Sequence, residues 1–246
     1  MKTFCLTDPG KVREHNEDNL ISLTNDYNDY LLAVADGMGG HKAGEIASSI
    51  AISYLEETFN TDLTDKQDGI EWLRKSAQEI NDRIFKYTSE HEESKGMGTT
   101  LVIALYTKNY LLFANIGDSS GFVLKDKKLF KVTNDHTLVN LLIATGDLTE
   151  TDAKFHPKKN VLMKALGAIN PAEIDIFDIE KFDEISGILL CSDGLTNMLS
   201  MEQIEAVLTS DLKIEEKLTR LIRKSNNRGG TDNISVVYLD NESGDE

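Results

Sequence analysis

Four aspartates stand at the ends of apolar runs, and their placement points to chemistry. Asp36 follows LLAVA and precedes Gly37, Asp118 follows YLLFANIG, Asp193 follows GILLCS and precedes Gly194, and Asp232 stands just before NISVVYL. Any one of them alone reads as a turn residue, since Asp-Gly is a common turn dipeptide. Four together read differently. If the strands end at one rim, the carboxylates converge, and crowded carboxylates repel unless cations neutralise them. Oxygen-only ligation, without a Cys or His pair, selects hard ions, Mg2+ or Mn2+, over zinc or copper. The glycines of Asp36-Gly37-Met38-Gly39-Gly40 leave the backbone bare, so that carbonyls and waters can approach an ion.

A second charged group, Arg13, Glu17 and Asp18, lies in KVREHNEDN. Such a run is usually a solvated face. Beside a cation site, however, the planar fork of an arginine binds phosphate oxygens in bidentate fashion. The chain has no GxGxxG, GxxxxGK[ST], HExxH or EF-hand loop, so dinucleotide, P-loop, zincin and calcium-sensor readings lack their residues. The two cysteines, Cys5 and Cys191, are far apart and form no metal or disulfide pattern; Cys191, in an apolar run, reads as a buried core residue.

Positioning these groups takes a real core. The chain has 246 residues, 40% of them hydrophobic, with 17 Gly spread along it and 3 Pro, which excludes collagen, low-complexity disorder and a disulfide scaffold. The net charge of −16 opposes binding to nucleic acid or an anionic membrane. No apolar stretch has signal-peptide or membrane-spanning length, so the expected location is the cytoplasm. Strands are expected at Leu31 to Ala35, Thr99 to Tyr106, Tyr110 to Ile116, Gly121 to Leu124, Leu129 to Val132, Gly187 to Cys191 and Ile234 to Leu239. Hairpin-length connections at residues 107–109 and 125–128 make part of the sheet antiparallel. Ile70, Leu73, Ala77, Ile80, Ile84 and Tyr87 line one face of a helix; others are expected from Ala43 to about Phe59, over Met201 to Thr209 and from Ile214 to about Ser225. Between Leu138 and Leu166 the pattern loosens to a short helix with exposed loop.

The ordered blocks TDPGKVREHNEDN, VADGMGGHKAGE, GMGTT, NIGDSS, TNDHT, LLCSDGL and GGTDNISVV, running from Thr7 to Val237, resemble the metal-dependent protein Ser/Thr phosphatases of type 2C, in their compact bacterial branch. The resemblance implies an α+β fold, a four-layer αββα sandwich of two antiparallel sheets flanked by helices. It implies one catalytic domain over residues 1–240, with a flap at about 143–165 and an acidic tail at 241–246. By matching motif, Asp36 would bridge two Mn2+ or Mg2+ ions, with the Gly37 carbonyl on one and Asp193 and Asp232 on the other. Asp118 would share a weaker third ion with Asp193, Glu17 and Asp18 would act through water, and Arg13 would hold the substrate phosphate. The implied reaction is in-line attack of a metal-bridging water on phosphoserine or phosphothreonine. Implied partners are phosphorylated Ser/Thr proteins, including a cognate bacterial kinase of eukaryotic-like type; with no apolar stripe beyond core requirements, a monomer is the expected state.

Two departures stand out. Ser120 takes the place of the family's usual Arg, and Met38 that of the His proposed as general acid in many eukaryotic members. The acid is then His41, His136, His156 or a water. Two rival classes make different demands. Gly117-Asp-Ser119-Ser-Gly121 satisfies the GxSxG elbow of α/β-hydrolases, which requires a helix after the serine, whereas a hairpin is expected here. A pseudophosphatase would have lost acidic ligands, and every one is present.

Overall fold

The computed structural model describes residues 1–241 except His41 and Lys154. Its eleven strands are β1 (Lys2–Asp8), β2 (Asp18–Thr24), β3 (Tyr30–Met38), β4 (Gly98–Thr99), β5 (Leu101–Tyr106), β6 (Leu111–Ile116), β7 (Ser120–Lys125), β8 (Lys128–Lys131), β9 (Asp175–Asp178), β10 (Gly187–Cys191) and β11 (Ile234–Asp240). They form two antiparallel sheets. One has the order β1-β11-β10-β7-β8; the other has the order β2-β3-β5-β6-β9, with β4 paired to the end of β3. Helices α1 (Lys42–Thr58) and α2 (Lys66–Glu90) pack on the second sheet. Helices α5 (Asp193–Thr196), α6 (Met201–Leu208) and α7 (Ile214–Asn227) pack on the first. The four-layer αββα sandwich expected from the family resemblance is the observed architecture.

Central strands read as unbroken apolar runs because both faces are covered. Successive side chains point to opposite faces, so Leu31, Ala33 and Ala35 of β3 enter the core under α1 and α2, while Leu32 and Val34 enter the seam between the sheets. Likewise Leu189 and Cys191 of β10 face α5 to α7, and Ile188 and Leu190 face the seam. Each fully buried Leu or Ile stabilises by about 2 kcal/mol relative to an exposed one.

Three strands escape sequence reading: β1, β2 and β9. All lie at sheet edges and, Asp18 apart, are at best partly buried, so none produces an apolar run. β8 is also an edge, but the hairpin turn reveals it, with Asp126 and Lys127 both at positive φ. The loose stretch between β8 and β9 contains two short helices, α3 (Leu138–Ala144) and α4 (Glu150–Ala153). Of the acidic tail, Asn241 donates its backbone N–H to Ser186 O at 3.0 Å, and residues 242–246 lie outside the described residues.

Candidate active site

Antiparallel order brings the C-terminal ends of β3, β6 and β10 and the N-terminal ends of β2 and β11 to one rim of the sandwich. Asp36, Asp118, Asp193 and Asp232 meet there around a cavity of about 570 Å³, whose walls also include Arg13, Glu17 and Gly37. Asp18 pairs in register with Asp36 across β2 and β3 but does not line the cavity. It sits behind it, where Ser192 Oγ donates to Asp18 Oδ2 at 2.8 Å, a link between the two sheets.

The backbone of Asp36 and the loop bearing Glu17 are held by neighbours that sequence reading passed over. The backbone N–H of Asp36 donates to Thr100 Oγ1 at 3.0 Å, and its carbonyl accepts from Thr99 Oγ1 at 3.0 Å and Thr100 N at 2.9 Å, which explains the GTT of the GMGTT block. Asn233 clamps the N-terminal loop: its amide donates to Pro9 O and His15 O, and its Oδ1 accepts from Glu17 N at 2.9 Å. His15 and Met38 also line the cavity, together with Asn160 and residues 162–165 from the expected flap. Gly37 has a reason beyond bare backbone. A Cβ there would stand 2.1 Å from the Gly44 carbonyl oxygen of α1, so only glycine lets the end of β3 approach the helix.

Electrostatics sets this rim apart. Burial, reinforced by Asp18, Asp193, Asp118 and Asp232, pushes the Asp36 carboxyl well above the usual range. Burial and the charges of Asp118 and Asp232 push Asp193 up to about 8. Asp18 and Asp118 are each raised to about 6, again chiefly by burial. Asp18 Oδ1 and Asp193 Oδ1 are buried with no hydrogen-bond partner. Arg13 is engaged: its Nη2 donates to Asp232 Oδ2 at 2.7 Å. An all-oxygen donor set with orphaned carboxylate oxygens fits hard divalent cations. Among the described residues, no three acidic side chains close on one point by themselves.

The other expectations separate cleanly. Ser119 is fully buried, bonds Thr100 Oγ1 at 2.8 Å and leads into β7 rather than a helix, so the hydrolase elbow fails. Cys191 is buried and its thiol is raised by that burial, which suits a core residue. His136 has both ring nitrogens occupied, His156 does not line the cavity, and His41 lies outside the described residues.

A two-sheet sandwich opening at one end onto an acidic cavity is an architecture suited to cation-assisted hydrolysis. The comparisons agree: the family model described as Protein phosphatase 2C matches residues 11–235. The serine/threonine phosphatase stp of Listeria welshimeri serovar 6b is 42% identical over 236 residues, covering 95% of this chain and 93% of its own. The structure of serine/threonine phosphatase Stp1 from Staphylococcus aureus matches with a TM-score of 0.90 at 33% identity, over 97% of this chain and 94% of that one. The catalytic domain of serine threonine protein phosphatase PstP, solved in complex with two manganese ions, matches with a TM-score of 0.82 at 32% identity over 97% of this chain and 97% of that one. The chain belongs to the protein phosphatase 2C family, in its bacterial branch, and is an enzyme.

Proposed function

We propose that the chain hydrolyses phosphoserine and phosphothreonine in proteins, with Mn2+ or Mg2+ as cofactor. The observation that carries this reading is the rim itself: the half-buried carboxyls of Asp36, Asp118 and Asp193, drawn from both sheets and with proton affinities raised by burial and mutual repulsion, open onto a cavity beside an arginine. Asp36, the Gly37 carbonyl, Asp193 and Asp232 would hold two core ions, and Asp118 with Asp193 a weaker third. Glu17 and Asp18 would act through water. Mg2+ and its like bind through few carboxylates and keep several waters, which suits side chains that do not close on one point. Bound divalent ions supply Lewis acidity toward the phosphoryl group and lower the pKa of water held there.

The chain's own residues do the rest. Thr99 and Thr100 fix the backbone of Asp36, Asn233 fixes the loop bearing Arg13 and Glu17, and Arg13 exchanges Asp232 for the phosphate oxygens of substrate. The segment at about 143–165 acts as a flap on a single catalytic domain spanning 1–240; its last residues, 162–165, wall the cavity. The named phosphatase relatives support phosphoprotein substrates, which a cognate Ser/Thr kinase would supply. No helix among the described residues is long and apolar enough to cross a membrane, and a cytoplasmic monomer is the simplest setting.

The test is hydrolysis of a phosphothreonine and a phosphotyrosine peptide with EDTA, Mg2+ or Mn2+, beside Asp193→Asn. Cation-dependent phosphate release that favours phosphothreonine and vanishes in the variant is expected. Release that persists in EDTA, or none under any cation from folded protein, overturns the reading.

A further inference from the structure

We propose that His136, with Asp175 behind it, is a positioning residue that holds the turn bearing Asp118 and ties that turn to the base of the flap. The inference rests on the reading of Asp118 as a cation ligand. Its observations are geometric. Gly117, at φ +109°, makes a sharp bend packed on Thr100, where a Cβ would lie 2.5 Å from Thr100 Cγ2. The bend delivers the next residue, Asp118, into the cavity. One residue grips both sides of Gly117: its N–H donates to His136 Nδ1 at 3.1 Å, and its carbonyl accepts from the His136 backbone N–H at 2.9 Å. A ring that accepts at Nδ1 carries its proton on Nε2, and Nε2 meets Asp175 Oδ2 at 3.0 Å on edge strand β9. Asp175 therefore sets the tautomer that Gly117 needs, as outer-shell carboxylates do for ligating histidines.

The same residue reaches the flap. Met163 N donates to His136 O at 2.7 Å, Thr137 and Leu162 form an antiparallel bridge, and Leu138 N donates to Val161 O at 2.8 Å. Residues 136–138 and 161–163 are thus zipped together next to the ring, and Met163 is itself a wall of the cavity. The His136 side chain is only 9% exposed, so its contact with Gly117 is not easily replaced by water.

The test uses the full chain. Deuterium exchange on metal-stripped protein reads the amide of Gly117 and residues 161–163; in parallel, the Mn2+ concentration for half-maximal phosphothreonine hydrolysis is measured. His136→Ala is expected to speed exchange at Gly117 about fivefold and to raise the Mn2+ requirement about tenfold. His136→Asn places an amide oxygen where Nδ1 stands and is expected to restore both to within about twofold of wild type. His136→Gln reaches only the Nε2 position and does not restore them. Asp175→Ala, at a strand edge where unfolding is not at issue, frees the tautomer and is expected to raise the Mn2+ requirement about threefold. Unchanged exchange in His136→Ala, or equal behaviour of the Asn and Gln variants, would reduce the ring to packing and overturn the proposal. Wild-type protein inactive with every cation would instead overturn the phosphatase reading, and the exchange data on metal-stripped protein would still decide whether His136 braces the turn.

Discussion

Between the two sheets the molecule has two kinds of interior. Along most of the seam, Leu32, Val34, Val102, Phe113, Ile188, Leu190 and Val237 pack as a dry apolar layer in which every contact favours the fold. At one rim the same strands end in Asp36, Asp118 and Asp193, whose charges repel one another and whose burial opposes ionisation. The seam is stabilising at any pH. The rim stores unfavourable electrostatics that a bound cation would relieve, which is the usual relation between a functional site and the core that supports it.

Substitutions should break this contrast in opposite directions. Asp36→Asn or Asp193→Asn is expected to lower kcat about a thousandfold or more, while metal-stripped Asp193→Asn, at a pH above the folded value of about 8 where that carboxyl is ionised, melts at or above the temperature of the wild type because one repelling charge is gone; kinetics and scanning calorimetry check both. Leu190→Ala in the seam is expected to cost about 2–5 kcal/mol of stability by denaturant unfolding, with the Mn2+ requirement unmoved. A smaller effect belongs to Arg13→Ala: a KM for phosphothreonine peptide raised about tenfold, read by steady-state kinetics, since half of that side chain faces solvent and its hydrogen bond to the rim goes to Asp232.

The apolar seam was the legible part of the sequence. Its strands are buried on both faces, so β3, β5, β6, β10 and β11 stand out as apolar runs, and the aspartates at their ends stand out with them. Edge strands β1, β2 and β9 were not legible, because half-exposed residues carry no run. The residues that fix the carboxylates were hidden for another reason. Ser192 and Asp18 are 174 positions apart, and Asn233 reaches Pro9 across 224, so only the fold shows that they are partners. His136 was visible as a lone histidine in TNDHT; its role required seeing Gly117 on one nitrogen and Asp175 on the other.

The pKa shifts give the claim of stored repulsion a definite sign. Carboxylates raised in the folded state bind more protons there than in the unfolded chain, so the metal-stripped protein loses stability as pH rises from about 4 toward the folded value of about 8 at Asp193. The most direct measurement is the melting temperature of metal-stripped protein at pH 5 and pH 8, with and without Mn2+. The account predicts a lower melting temperature at pH 8 than at pH 5, reversed by Mn2+ at pH 8, with that Mn2+ response abolished in Asp36→Asn. A melting temperature that does not fall between pH 5 and pH 8, or that Mn2+ leaves untouched, would contradict it.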